Sequence, residues 1–221
     1  MMRVPAGYLL KGFQDSDRDQ RPLHKVYLDA YWIDQKEATN AQYQLCVMEG
    51  ICGNSHETEY FKDTTYNNHP VIYVSWVEAQ IFCEWVGKRL PTESEWEKAA
   101  RGNDGQRYPW GDRKPNPNLL NFNDTKNGTT EVGRYPQGVS LYGALDMAGN
   151  VWEWTSDWYD PIYYKNSPTR NPQGPLNGTR RVLRGGSWFS LTELIVRSSF
   201  RKASLPDTRN YSTGFRYVFS D

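Results

Sequence analysis

From Asn103 to Thr179 the chain carries almost no hydrophobic periodicity, and Gly, Pro, Asn and Asp dominate instead. A stretch this long is not a structureless loop inside a compact domain. Something other than regular helix and sheet must order it, and a bound metal ion is one physical candidate. The feature points to a fold rich in irregular chain. The residue counts agree. There are 9 Trp, 15 Tyr, 18 Gly and 13 Pro against an apolar fraction of 38%. Large aromatics can build a core with few aliphatics, because each buries more surface than Val. The turn-formers imply long connections.

Regular structure announces itself on either side of that stretch. Lys25–Trp32 alternates Val26, Leu28, Ala30 and Trp32, as a half-buried strand does. Thr39 with Gln42, Ser75 with Glu78, and Thr92 with Glu95 each match the capping box, in which two side chains satisfy helix-end amides reciprocally. The second of these helices would bury Ala79, Phe82, Cys83 and Val86 and stop at Gly87. The third would bury Trp96, Ala99 and Ala100 and stop at Gly102. Strands return over Arg181–Arg184 and Gly214–Phe219. No repeat or low-complexity linker appears, so residues 1–221 read as a single domain.

Charge and cysteine usage exclude more than they assign. Lys+Arg and Asp+Glu both number 26, which gives no electrostatic case for nucleic acid or an acidic membrane. No apolar run approaches the roughly 20 residues that span a bilayer. Met1-Met2-Arg3-Val4-Pro5 is not the apolar core of a signal peptide, and compartment is unread. Of three cysteines, Cys46 and Cys52 are near enough in sequence to pair, while Cys83 falls on an apolar helical face.

Five strings then carry a resemblance. They are Arg89-Leu-Pro-Thr-Glu-Ser-Glu-Trp-Glu-Lys-Ala-Ala-Arg101, Tyr108-Pro-Trp-Gly-Asp112, Tyr142-Gly-Ala-Leu-Asp-Met-Ala-Gly-Asn-Val-Trp-Glu-Trp154, Arg181-Val-Leu-Arg-Gly-Gly-Ser-Trp188 and Thr213-Gly-Phe-Arg216. In this order they resemble the formylglycine-generating-enzyme, or sulfatase-modifying-factor, family over almost the whole chain. The resemblance implies an α+β, C-type-lectin-like fold with small antiparallel sheets, two or three helices and much irregular chain. It also implies what is missing. Family members that oxidise a substrate cysteine use two cysteines just after the Gly-Gly-Ser-Trp string, with copper on thiolate, a soft-ligand preference that oxygen does not replace. Counting forward without a gap places Ser190 and Ile195 there, and anchoring on Pro206-Asp207 shifts this by two residues. No cysteine lies beyond Cys83. An iron-dependent branch of the family needs a histidine cluster, and only His24, His56 and His69 are present, without ligand spacing. His69 before Pro70 reads as a turn residue, His24 and His56 as surface histidines.

The family often holds calcium in oxygen-rich loops, where hard cations take six to eight oxygens including carbonyls. Asp146, Gly149, Val151 and Glu153 match one loop, the two acids by side chain and the others by carbonyl. Asn121, Phe122, Asp124 and Lys126 match a second loop, with Lys126 able to offer only its carbonyl. Structural calcium is therefore expected and no catalytic cofactor. The competing reading is that Asp146 and Glu153 cap turns or pair with an arginine.

The remaining signal lies in the C-terminal segment. In lectin-like folds this stretch forms the exposed ligand face, and an apolar cluster there suggests a protein-binding patch. The expected surface comprises Phe189, Ser190, Leu191, Thr192, Leu194, Val196, Phe200, Leu205, Thr208 and Tyr211. Inward packing of Ile195 and Val196 is the alternative. Arg184, Arg197, Arg201 and Arg216 read as scaffold residues that pair with acids or stack on aromatics. The resemblance extends to variable proteins of diversity-generating retroelements, in which adenine-directed mutagenesis randomises Asn codons. Such codons do not yield Lys, Glu, Gln, Met or Trp, and between Phe189 and Thr213 only Glu193 and Lys202 are of those types. The expectation is a non-catalytic module binding a protein or cell-surface ligand, without nucleic acid or membrane insertion. The alternatives are a family enzyme with cysteine-independent oxidoreductase chemistry around Ser190, Glu193 and nearby arginines, or an accessory scaffold domain.

Overall fold

The computed structural model describes residues 1–54 and 58–220. His56 therefore lies outside the described residues. The three expected N-caps all form, at Thr39, Ser75 and Thr92, each with both hydrogen bonds of the box. They start helices α1 (Asn40–Met48), α3 (Trp76–Trp85) and α4 (Glu93–Arg101). Between the first two lies a short helix, α2 (Thr58–Lys62), too brief to show a helical period in sequence.

Nine strands appear among the described residues, in small sheets. One sheet joins β1 (Met2–Val4), β4 (Tyr31–Ile33) and β9 (Val218–Phe219), all antiparallel. A hairpin-like pair joins β2 (Gly7–Lys11) to β3 (His24–Leu28). The third sheet runs β7 (Lys202–Ser204), β6 (Arg181–Arg184), β5 (Trp152–Trp158) and β8 (Thr213–Gly214), with the last pair parallel. This mixture of small sheets, few helices and much irregular chain is the expected α+β, C-type-lectin-like class.

Two sequence expectations change in detail. The Lys25–Trp32 strand is really two, broken at Asp29 and Ala30. Val26 and Leu28 point inward, but after the break Tyr31 and Ile33 do so, not Ala30 and Trp32. A one-residue slip moves every following side chain to the other face. Likewise Gly214–Phe219 divides between β8 and β9. A third expectation fails outright, since β5 lies inside the stretch read as aperiodic. Its first four residues are all buried, so no alternation marks it.

The core is aromatic, as the counts require. Tyr43, Phe82, Trp154 and Phe215 centre one cluster, and Trp96 with Met147 centres another. Helix α4 is buried on every side, charges included. Arg184 reaches Glu93 and Glu97 at 2.8 Å each, Arg201 reaches Glu93 at 2.6 Å, and Arg101 reaches Glu97 at 2.9 Å. Buried charges persist only when paired and hydrogen-bonded in this way. Arg184, Arg201 and Arg216 thus act within the scaffold, while Arg197 lies 5.6 Å from the Phe13 ring.

Candidate functional site

The segment after β6 is set by two glycines. Gly185 and Gly186 have φ of 92° and 76°, where L side chains are strained. A Cβ on Gly186 would stand 2.8 Å from Val196 Cγ1 and 3.2 Å from Ser190 Oγ. The chain therefore folds tightly back on itself here, which corrects two of the expected surface residues. Val196 is fully buried beside Tyr108 and Leu120. Ser190 is buried too, and its hydroxyl accepts a hydrogen bond from the Ser187 amide at 2.9 Å. Phe200 and Thr208 are half-buried.

The other members of the set reach solvent. Phe189, Leu191, Leu194, Leu205 and Tyr211 are exposed by 41 to 61% of their surface, and Thr192 is exposed beside them. Phe189 and Tyr211 form an aromatic cluster with Trp188, with ring centroids 5.4 to 6.1 Å apart. Trp188 was not among the expected surface residues.

Beside this cluster lies a groove of about 380 Å³. Trp152 and Phe200 form part of its wall, and Phe189 and Tyr211 line it as well. Ser190 and Ile195, the positions reached by ungapped counting, line the same groove. Lys202 also lines it, with Nζ 4.8 Å from the Trp152 ring centroid. Sequence reasoning missed Trp152 and Lys202 as groove residues. Trp152 belongs to a strand hidden from periodicity, and Lys202 lies in a segment read for its apolar side chains.

Nucleophilic groups are not assembled here. Ser190 has no histidine partner among the described residues, since His24 bonds Ser167 and Pro22 and His69 bonds Thr129. Activation of a serine needs such an adjacent base. Glu193 is exposed, and its backbone carbonyl accepts from Tyr108 Oη. Cys46 and Cys52 are disulfide-linked, and burial raises the Cys83 thiol well above its usual range.

The two loops expected to hold calcium meet at Asn150. Its Nδ2 donates to Glu37 Oε2 at 2.7 Å and to the Thr130 carbonyl, while its Oδ1 accepts from the Thr130 amide and from Asn121 Nδ2. This amide hub orders much of the aperiodic stretch. Gly149, with φ of 78°, lies so close that a Cβ would stand 2.2 Å from the Asn121 carbonyl oxygen.

Not every residue named for calcium fits an ion. Glu153 is fully buried and accepts from Trp96 Nε1 at 2.7 Å and from Arg216 Nε at 2.6 Å, so it is the arginine partner of the competing reading. The Phe122 carbonyl accepts from Thr125, and Asp124 and Lys126 are exposed. Among the described residues, no three acidic, histidine or cysteine side chains are grouped to hold a metal. Two groups do fit. Asn121 Oδ1 is buried without a partner. Asp146 is buried, and burial pushes its carboxyl up to about 6 even though Gly133 N–H donates to it.

Comparison with known proteins decides the family. The sequence profile described as sulfatase-modifying factor enzyme 1-like domain matches residues 1–220. The chain belongs to this sulfatase-modifying-factor family. Among its relatives, the formylglycine-generating enzyme of Mus musculus is 30% identical over 98% of this chain and 74% of its own length. Serine/threonine-protein kinase pkn1 of Chlamydia caviae is 37% identical over 98% of this chain, yet the chain spans only 37% of that protein. Among solved structures, Treponema denticola variable protein 1 superposes with a TM-score of 0.82 at 25% identity. It covers 99% of this sulfatase-modifying-factor chain and 94% of its own.

Proposed function

We propose that this family member is a non-catalytic binding module whose ligand face is the groove and aromatic rim built by residues 188–212. The observation that carries the reading is the lining of one groove by Ser190 and Ile195, where the family's oxidising members are expected to hold cysteines. In place of a thiolate site there is a wall of Trp152 and Phe200, flanked by exposed Phe189, Leu191, Leu194, Leu205 and Tyr211. Clustered apolar side chains at a rim of this kind suit association with a protein surface. The likeness to a variable protein over nearly the full length of both chains supports the same use of the fold.

The test has two arms. The chain is incubated with copper(I) or iron(II), dioxygen and a cysteine-containing peptide, and it is separately panned against a displayed peptide library. The expected result is unaltered cysteine peptide and enriched binders. Oxidation of the peptide, or a library that enriches nothing, contradicts the reading. Diversification is tested in the gene, where a template repeat differing from its 3′ end only at adenines is expected.

An accessory role has a specific observation behind it. The kinase-named relative matches this whole chain with only 37% of its length. A groove serving such a role would still bind, so the two readings differ in partner and not in chemistry.

We also propose a structural calcium at the Asp146 loop, with Asp146 and Asn121 Oδ1 as its side-chain ligands. Burial, with the Asp146 and Glu153 charges, holds Glu37 well above the usual carboxylate range despite the Arg216 guanidinium. A bound cation would balance that charge.

A further inference from the structure

The groove described above has one feature that its apolar rim does not explain, the ammonium of Lys202. The other cations of residues 189–213 are either ion-paired or lie outside the groove lining. Arg201 is buried against Glu93 at 2.6 Å, Arg209 pairs with Glu78 at 2.9 Å, and Arg197 stacks toward Phe13. Lys202 makes no ion pair among the described residues, and its Nζ faces the Trp152 ring at 4.8 Å inside the groove lining. Lys202 as a whole is exposed, and the protein around its ammonium lowers its pKa from the usual lysine range by burial. A cation held over an aromatic wall at the mouth of a groove gains from a counter-charge that enters with the ligand.

We propose that the groove receives an acidic peptide segment of a protein partner, with a carboxylate on the Lys202 ammonium and an adjacent apolar side chain against Trp152 and Phe200. The proposal rests on the reading of this face as a binding surface, and it names the chemistry of the occupant. The surroundings favour a protein over a free small acid. The groove of about 380 Å³ would admit a small molecule, but exposed Leu191, Leu194 and Leu205 extend the apolar surface beyond its lining. Nucleic acid would need several free cations along its track, and among the described residues the groove lining offers only Lys202, since Arg201 is paired with Glu93.

The experiment titrates the isotope-labelled full chain with two synthetic peptides, acetyl-Glu-Leu-Phe-amide and acetyl-Gln-Leu-Phe-amide, and follows the Trp152 indole N–H resonance. The acidic peptide is expected to bind about tenfold more tightly, equivalent to roughly 1.4 kcal/mol, with the margin shrinking as salt rises. Lys202→Met should reduce the preference to within about twofold, while Lys202→Arg keeps most of it. Equal binding of the two peptides, a preference that survives in Lys202→Met, or no shift at Trp152 with either peptide would overturn the proposal. Library binders that map to the rim without acidic enrichment would leave the binding-module reading standing and remove only this one.

Discussion

Glu93 accepts from Arg184, Arg201 and Lys11 in a site closed to water. Burial alone would raise its carboxyl, but these three cations hold it well below the usual range. Nearby Asp157 responds the other way. Burial first, and then the Glu93 charge, push its carboxyl up to about 6. An unfolded Asp titrates near about 3.9. Between those values the folded chain binds more protons than the unfolded one, so this group makes stability fall as pH rises from about 4 to about 6. Asp157→Asn can still accept from the Glu93 amide. It is expected to flatten that decline and to raise stability at pH 7 by on the order of 1 kcal/mol, measured by urea unfolding across the window. An unchanged slope would refute the assignment. Arg216→Met leaves Glu153 charged and buried and should cost about 3–5 kcal/mol in the same assay. The arginines were legible in sequence as scaffold, but their partners were not. Glu93, Glu97 and Glu153 lie between 63 and 108 positions from Arg184, Arg201 and Arg216, and nothing local encodes such pairs.

Helix ends were the most legible elements, because a capping box is a local device whose two residues lie three apart in the chain. Thr92→Ala removes the acceptor for the Glu95 amide and should cost about 1 kcal/mol, read as a lower denaturation midpoint with unchanged slope. Strand β5 was illegible for the opposite reason. Trp152 and Trp154 on one face and Glu153 and Thr155 on the other are all buried, and its partners β6 and β8 come from the chain's last quarter. The turn at Gly186 was visible as a motif but not as geometry. Gly186→Ala would force a Cβ toward Val196 at a positive φ. It is expected to lower the melting temperature and to displace the 189–200 segment, seen as altered amide exchange there. Normal exchange in that segment would show that the turn does not hold the groove.

At the scale of the whole molecule, irregular chain is ordered by buried charge pairs, the Asn150 hub and aromatic packing. The family and fold were readable because five motifs occur in order across the chain. Which apolar residues of the C-terminal segment face outward was not, since Val196 and Leu194 are alike in hydrophobicity and differ only in tertiary placement. The proposed calcium also belongs to this scale. A chelator is expected to lower the melting temperature of the wild-type chain and to leave Asp146→Asn unaffected, whereas coincident wild-type curves would remove the ion from the account. The most direct test of the binding face compares a library-selected peptide on the wild-type chain and on the Phe189→Ser/Leu191→Ser/Tyr211→Ser variant. All three side chains are substantially exposed, so their loss should change stability by no more than about 0.5 kcal/mol each. The account predicts that Kd rises at least about 100-fold, roughly 2.7 kcal/mol, in a variant that unfolds much as the wild type does. A folded variant with an unchanged Kd would contradict it.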